Sequence, residues 1–285
     1  MNHTSIVERA TPQRRRARMA LAWGAALLGA AALAVAATPV KPAAAPAKPA
    51  ATVPARLVVA GKSLPNFNGI WVRTGSFLFD PAIRDPLLMK PPYKPEWMAE
   101  FDAHRNKVAQ TGVNTLDPTA GCIPPGMPRM MSVVYPMEIL MTPGQVTIIT
   151  EWMGQIRRVF TDGRPHPEDP DITYVGHSTG HWDKDTLVID TVAMKGDTML
   201  DQTGMKHSPD IHVIERMRLI DPQTLENQLT LEDPVAFTRP WTVTRIFKRA
   251  KPGEEMREFV CEENNRNPIK PDGSVGVILQ GNDKK

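Results

Sequence analysis

This sequence predicts a mainly β fold, a mostly antiparallel barrel or a sandwich with one inserted amphipathic helix, on three observations. Apolar and polar residues alternate with a period of two from residue 67 onward, turn-forming residues interrupt that alternation at short intervals, and only one segment carries helical spacing. Many short strands with few helices between them bury their apolar faces by closing on themselves or by stacking.

The strands predicted from alternation are GIWVRT (69–74), MEILM (137–141), QVTIITEW (145–152), QIRRVF (155–160), TLVIDTV (186–192), IHVIERMRLI (211–220), TLENQLTL (224–231), WTVTRIF (241–247) and REFVCE (257–262). Pro143-Gly144, Asp162-Gly163, Asp183-Lys184-Asp185, Asp221-Pro222 and Pro252-Gly253 supply turns between them. The helix is KPEWMAEFDAHRNKVAQTG (94–112). Pro95 suits its first turn, Trp97, Phe101 and Val108 recur at helical spacing, and Gly112 is a stop. No internal repeat is evident, which argues against a propeller.

The chain opens with Arg14, Arg15, Arg16 and Arg18, then an uncharged apolar run from Met19 that ends in Ala34-Val35-Ala36. That layout predicts a secretory signal peptide over 1–36, cleaved near Ala37; an uncleaved membrane anchor is the alternative. A Pro/Ala/Lys tract follows and predicts an extended linker over 37–60, leaving a single β-rich domain over 61–285. The formal charge of +3 includes the basic leader. With no basic stripe interleaved with aromatics and no phosphate-cradling glycine loop, nucleic-acid binding is not indicated. The expected compartment is the periplasm or the exterior, with no stable membrane insertion after cleavage; oligomeric state is left open. In an oxidising compartment the two cysteines, Cys122 and Cys261, predict a disulfide joining CIPPGMP to the C-terminal EFVCEENN.

Strand alternation also selects candidate site residues. Glu215 shares a face with Ile211, Val213, Met217 and Leu219; Arg245 with Trp241, Val243 and Phe247; Asn227 with Leu225, Leu229 and Leu231; and Arg158 with Ile156 and Phe160. A buried charge needs a partner, so Glu215 is expected to meet Arg158 or Arg245. Residues 161–190, TDGRPHPEDPDITYVGHSTGHWDKDTLVID, hold three of the seven histidines among prolines and glycines and read as loop and hairpin. His166, His177 and His207 are candidate proton shuttles, with Glu215, Asp162 and Asp190 as candidate carboxylate partners.

Metal binding has less behind it. His177 and His181 are four apart, but no HExxH or CxxC accompanies them, so no metal ligand is assigned. Ser178 in HSTG lacks a nucleophile elbow. The methionines after Cys122, at 127, 130, 131, 137 and 141, read as core or cavity lining ahead of a copper site.

The start Asn68-Gly69-Ile70-Trp71 resembles the glycine-x-tryptophan opening of lipocalin-like (calycin) barrels, which implies a barrel. The blocks NFNGIW, CIPPGMPRMM, YPMEI, TDGRPHPEDPD, GHSTGHWDKDTLVIDT and CEENN resemble a family of secreted proteobacterial and acidobacterial proteins, mostly of unassigned function. That resemblance implies one domain and no particular reaction.

The leading expectation is a barrel that binds a small apolar or aromatic molecule. It would act by cofactor-independent acid/base chemistry as a lyase, hydratase or isomerase, with Glu215 as acid or base and Arg158 or Arg245 orienting an oxygen. No cofactor is implied, and enzyme status is uncertain. A non-catalytic carrier or sensor with the same interior fits equally, and a metal-dependent hydrolase on His177 and His181 is a third reading.

Overall fold

A computed structural model describes residues 53–263, apart from 77, 86, 87 and 115, together with the backbone of 277–278. The expected signal peptide and residues 37–52 of the expected linker lie outside the described residues. The linker's end does not: Arg56–Val59 forms β1, an antiparallel hairpin with β2 (Lys62–Pro65), so the fold begins before residue 61. Arg56 of this hairpin contacts Asp185 at 3.1 Å.

The body is a closed barrel. Its strands are β3 (Gly69–Arg73), β5 (Met137–Thr142), β6 (Gln145–Thr150), β7 (Ile156–Phe160), β8 (His177–Asp183), β9 (Thr186–Val192), β10 (His212–Asp221), β11 (Thr224–Glu232) and β12 (Trp241–Arg249). They follow one another round the ring in chain order, and β12 pairs with β3 to close it. Two short strands, β4 (Val113–Asn114) and β13 (Val277–Ile278), pair outside the ring. The mainly β class and the barrel are as expected, and the sandwich alternative falls away.

All but one of the pairings in the ring are antiparallel; β7 and β8 run parallel, through Val159↔Ser178 and Phe160↔Thr179. An odd-numbered ring cannot alternate direction all the way round, so one parallel pair is unavoidable. Parallel neighbours need a crossover in place of a hairpin. Residues 161–176 are that crossover, and they carry the chain back along the barrel by roughly 20 Å, the length of a strand like β8. The crossover enters β8 at Gly176, whose φ is +66°; a Cβ there would stand 2.5 Å from the Val192 carbonyl oxygen.

Inside the ring, Trp71, Ile139, Ile148, Val159, Leu187, Ile189, Val213, Leu225 and Leu229 are fully buried. Met127, Met130, Met131, Met137 and Met141 join them, so the methionine cluster is core. The helix α1 (Pro95–Thr111) starts at Pro95 and stops at Gly112, whose N–H donates to the Val108 carbonyl at 2.7 Å; it buries Phe101 and His104.

Residues 257–262, expected as a strand, are not one. A closed barrel leaves no free edge for a further strand, and this stretch is held instead by Arg257 N–H donating to Glu151 at 2.8 Å and by the Cys122–Cys261 disulfide. No free cysteine remains among the described residues. Such a bond belongs to an oxidising compartment. The bridge closes a loop of 139 residues, for which the chain-entropy model gives about 5 kcal/mol as an upper figure. Denaturant unfolding with and without a thiol reductant should therefore show a large loss of stability on reduction; equal midpoints would mean that the bridge constrains little.

Candidate functional site

Seven consecutive strands each turn one polar side chain into the largely apolar barrel. In ring order these are Arg157 (β7), Ser178 (β8), Thr191 (β9), Glu215 (β10), Asn227 (β11), Arg245 (β12) and Arg73 (β3), none more than 6% exposed. The register makes each a direct or diagonal neighbour of the next: Ser178 faces Thr191, Asn227 faces Arg245, and Arg73 faces Phe247, two residues from Arg245. Together they form a continuous polar belt on the inner wall.

Five of the seven are joined by hydrogen bonds. Arg157 donates to Ser178 Oγ at 3.0 Å, to Thr191 Oγ1 at 2.8 Å and to Glu215 Oε2, while Asn227 Nδ2 donates to Glu215 Oε1 at 2.8 Å. Both carboxylate oxygens are thus occupied and both charges are dry. The partner of Glu215 is Arg157, not Arg158. In β7 the inward face is Arg157 and Val159, because Val159 pairs with buried Val146 and Arg157 with buried Ile148 of β6. Arg158 is exposed, as is Ile156 at 45%.

The remaining two, Arg245 and Arg73, are not bonded in this way. Arg245 Nη2 donates to the Phe79 carbonyl at 2.8 Å and its guanidinium lies 4.6 Å from the Phe79 ring, yet Nε and Nη1 have no partner among the described residues. Among the described residues Arg73 has no partner for Nε, Nη1 or Nη2, and Asn227 Oδ1, across from Arg245 in the register, has none either. Burial, then the nearby Arg73 charge, lowers the Arg245 pKa to about 9, and burial alone lowers that of Arg73 to about 10; both remain cations at neutral pH.

A second cluster lies on the outer wall. His177 of β8, His166 of the crossover, Asp190 of β9, His212 of β10 and Glu232 of β11 form a chain of contacts. His166 Nδ1 is 2.7 Å from His177 Nδ1, and its Nε2 is 2.9 Å from Asp190 Oδ1 and 3.3 Å from Thr179 Oγ1. His212 Nε2 is 2.9 Å from Asp190 Oδ2, and its Nδ1 is 3.2 Å from Glu232 Oε2. His212 chiefly, and His166 after it, holds the Asp190 carboxyl below its ordinary range. Asp190 in turn, with Glu232, raises the His212 pKa. Desolvation, then the His166 and Arg164 charges, lowers that of His177. Ionised Asp190 accepts from His166 Nε2–H, and one proton is shared along the contact between His166 Nδ1 and His177 Nδ1. The chain pins the crossover to the barrel.

The expected residues therefore divide. His166, His177 and Asp190 come together, joined by His212, which sequence reasoning missed because its role depends on the β9–β10 and β10–β11 pairings. Glu215, Asn227 and Arg245 come together inside, joined by Arg157 and Arg73. The histidines and Glu215 do not meet, since Asp190 and His212 point outward from the strands that carry Thr191 and Glu215 inward.

His207 belongs to neither group. It is 2% exposed, with Nδ1–H donating to the Ser208 carbonyl at 2.9 Å and Nε2 accepting from Thr198 at 2.8 Å, and burial lowers its pKa. It is a satisfied core histidine and does not overhang a barrel mouth. Asp162 bonds Arg164, at 2.6 Å from its Nη2, which holds its carboxyl below the ordinary range. His181 is exposed, and no group of three or more His, Cys, Asp or Glu among the described residues is arranged to hold a metal ion. Ser178 is spent on Arg157 and Thr191.

No protein-family model and no curated protein sequence matches this chain.

The pKa directions set a pH response. His177 and His207 sit below the ordinary value of 6.5 in the folded state, so the stability they confer is full above about pH 6.5 and falls as acid drives the pH through their lowered values. His212 contributes in the opposite sense: its stabilisation is full below pH 6.5 and is lost as pH rises through its raised value. Imidazole NMR titration should place His212 above the ordinary value and His177 below it; the reverse order would mean that Asp190 and Glu232 do not act on His212 as their contacts imply.

Proposed function

We propose that this is a secreted or periplasmic barrel that holds a small apolar or aromatic molecule in its interior and acts as a carrier or sensor. The carrying observation is the polar belt within an apolar interior, since small-molecule sites are built from apolar walls with a few fixed polar anchors. The disulfide and the sequence features of a signal peptide support export. Among the described residues no helix is long and apolar enough to cross a membrane.

The carrier reading is favoured over acid/base catalysis by one feature. Glu215 has both oxygens engaged by Arg157 and Asn227, and the barrel wall separates it from the histidine chain, so no proton relay joins them. A general base must lie within reach of the proton it takes and of a route to discharge it.

Protein exported to a bacterial periplasm should carry, in a native mass spectrum, an organic mass that denaturation releases, and that molecule should be unchanged after prolonged incubation. Release of an altered molecule would favour the acid/base reading, and a bare native mass with no uptake of added hydrophobic probes would overturn the ligand-binding one. Glu215→Gln separates the roles further. It strands the Arg157 charge and should cost about 3 kcal/mol or more in denaturant unfolding, whereas Arg158→Gln, on the exposed face, should cost almost nothing. A Glu215→Gln variant of native stability would mean that the pair does not hold the wall.

A further inference from the structure

Four arginines are buried among the described residues: Arg73, Arg129, Arg157 and Arg245. Two of them are bonded as structural arginines are. Arg129 pairs with both oxygens of Asp117 at 2.8 Å, and Arg157 bonds Glu215, Ser178 and Thr191. Arg249, half-buried, shows the same pattern with carbonyls: it donates to Asn66, Asn68 and Pro222. Arg157 leaves one nitrogen, Nη1, without a partner; Arg73 and Arg245 bond no carboxylate at all, and between them five guanidinium nitrogens are buried without a partner among the described residues.

The wall around them carries a charge imbalance. Arg73, Arg157 and Arg245 face one carboxylate, Glu215, and Arg157 already neutralises it. Asp201 and Asp80 act on Arg245 through space, but Asp201 accepts from Phe79 N–H and from Thr203, and Asp80 from Ala82 N–H; neither bonds an arginine. Burial raises the Asp201 pKa, so it too is a poor counter-charge. An unpaired buried cation is costly, and guanidinium geometry matches a carboxylate fork.

We propose that Arg73 and Arg245 form a buried anion site near the end of the barrel where β3 finishes, and that it takes the carboxylate of a small aromatic or apolar acid. The two side chains are diagonal neighbours on the inner wall, with Cβ atoms roughly 7 Å apart by strand geometry, so one carboxylate can lie between them. Thr74 and Gly75, the residues that follow Arg73, are exposed and give the approach. Phe79, Trp241 and Phe247 supply the apolar and aromatic surface for the body of the ligand; Phe79 and Trp241 are 4.7 Å apart. This inference rests on the ligand-binding reading above and names its ligand class.

The test is isothermal titration of the mature, disulfide-bonded protein with 1-naphthoate and with 1-naphthylmethanol, which share a ring system and differ in charge. The acid should bind at least tenfold more tightly than the alcohol, a difference of about 1.4 kcal/mol. Arg73→Gln and Arg245→Gln should each weaken naphthoate at least tenfold and leave naphthylmethanol within about twofold. Because each substitution removes an unpaired buried charge, both variants should fold with melting temperatures at or above the parent's, and naphthoate should raise the parent's melting temperature more than theirs. Equal binding of acid and alcohol by the parent would overturn the anion site while leaving the ligand-binding reading in place. Binding of neither would count against both. Equal loss of the two probes in the variants would show that the arginines merely shape the wall.

Discussion

A ring with an odd number of strands cannot alternate direction throughout, and much of this structure follows from that constraint. One pair must be parallel, here β7 and β8, and a parallel pair must be joined by a segment that travels back along the barrel. Residues 161–176 have that task. A segment with no regular structure of its own must bond its polar groups locally or to the wall it crosses. Prolines stiffen it, Gly176 lets it turn into β8 past the Val192 carbonyl, and His166 ties it to His177 and Asp190. The polar density of this stretch is first a requirement of topology.

The barrel interior poses a different problem, which is charge out of water. Arg157 and Glu215 meet it by pairing and by bonding Ser178, Thr191 and Asn227, which leaves one arginine nitrogen, Nη1, without a partner among the described residues. These bonds run round the wall across β7 to β11, so they also fix how those strands sit against one another. Past Asn227 the network stops. Arg245 leans on a backbone carbonyl and an aromatic face, and Arg73 has no hydrogen-bond partner among the described residues. The belt is thus structural on one side and unsatisfied on the other, and that asymmetry, more than the presence of polar residues, is what the proposed anion site rests on.

How much of this was legible depended on strand length. Glu215, Asn227 and Arg245 stand in strands of nine or ten residues, where repeated apolar positions leave no doubt about the inward face. In the five-residue β7 the same rule failed: Ile156 and Phe160 outvoted Val159, although Ile156 is exposed and Phe160 is shielded on the outer wall by the Arg164 guanidinium at 4.3 Å and the His177 ring at 5.4 Å. Arg73 was readable, since alternation in GIWVRT puts it with Trp71. The outer chain was legible only in part. His166, His177 and Asp190 were marked by composition, but His212 joins them through pairings between strands that alternation within one strand does not reveal. The segment at 257–262 alternates like a strand yet finds no edge, because a closed ring has none.

An interior that leaves two cations unpaired is less stable than one with apolar residues in their place, and the difference is large against the few kcal/mol by which folded domains are stable. The disulfide offsets part of that cost by restricting the unfolded chain, and it does so whether or not a ligand is present. A bound anion offsets it differently. Ligand that binds only the folded state adds stability that grows with concentration, about 2.7 kcal/mol at a hundredfold excess over Kd. On the proposed reading, the covalent link secures the barrel without its guest, so that a ligand could satisfy the arginines reversibly. Pairing them within the fold, as Arg157 and Arg129 are paired, would have given a more stable wall with no use for a guest.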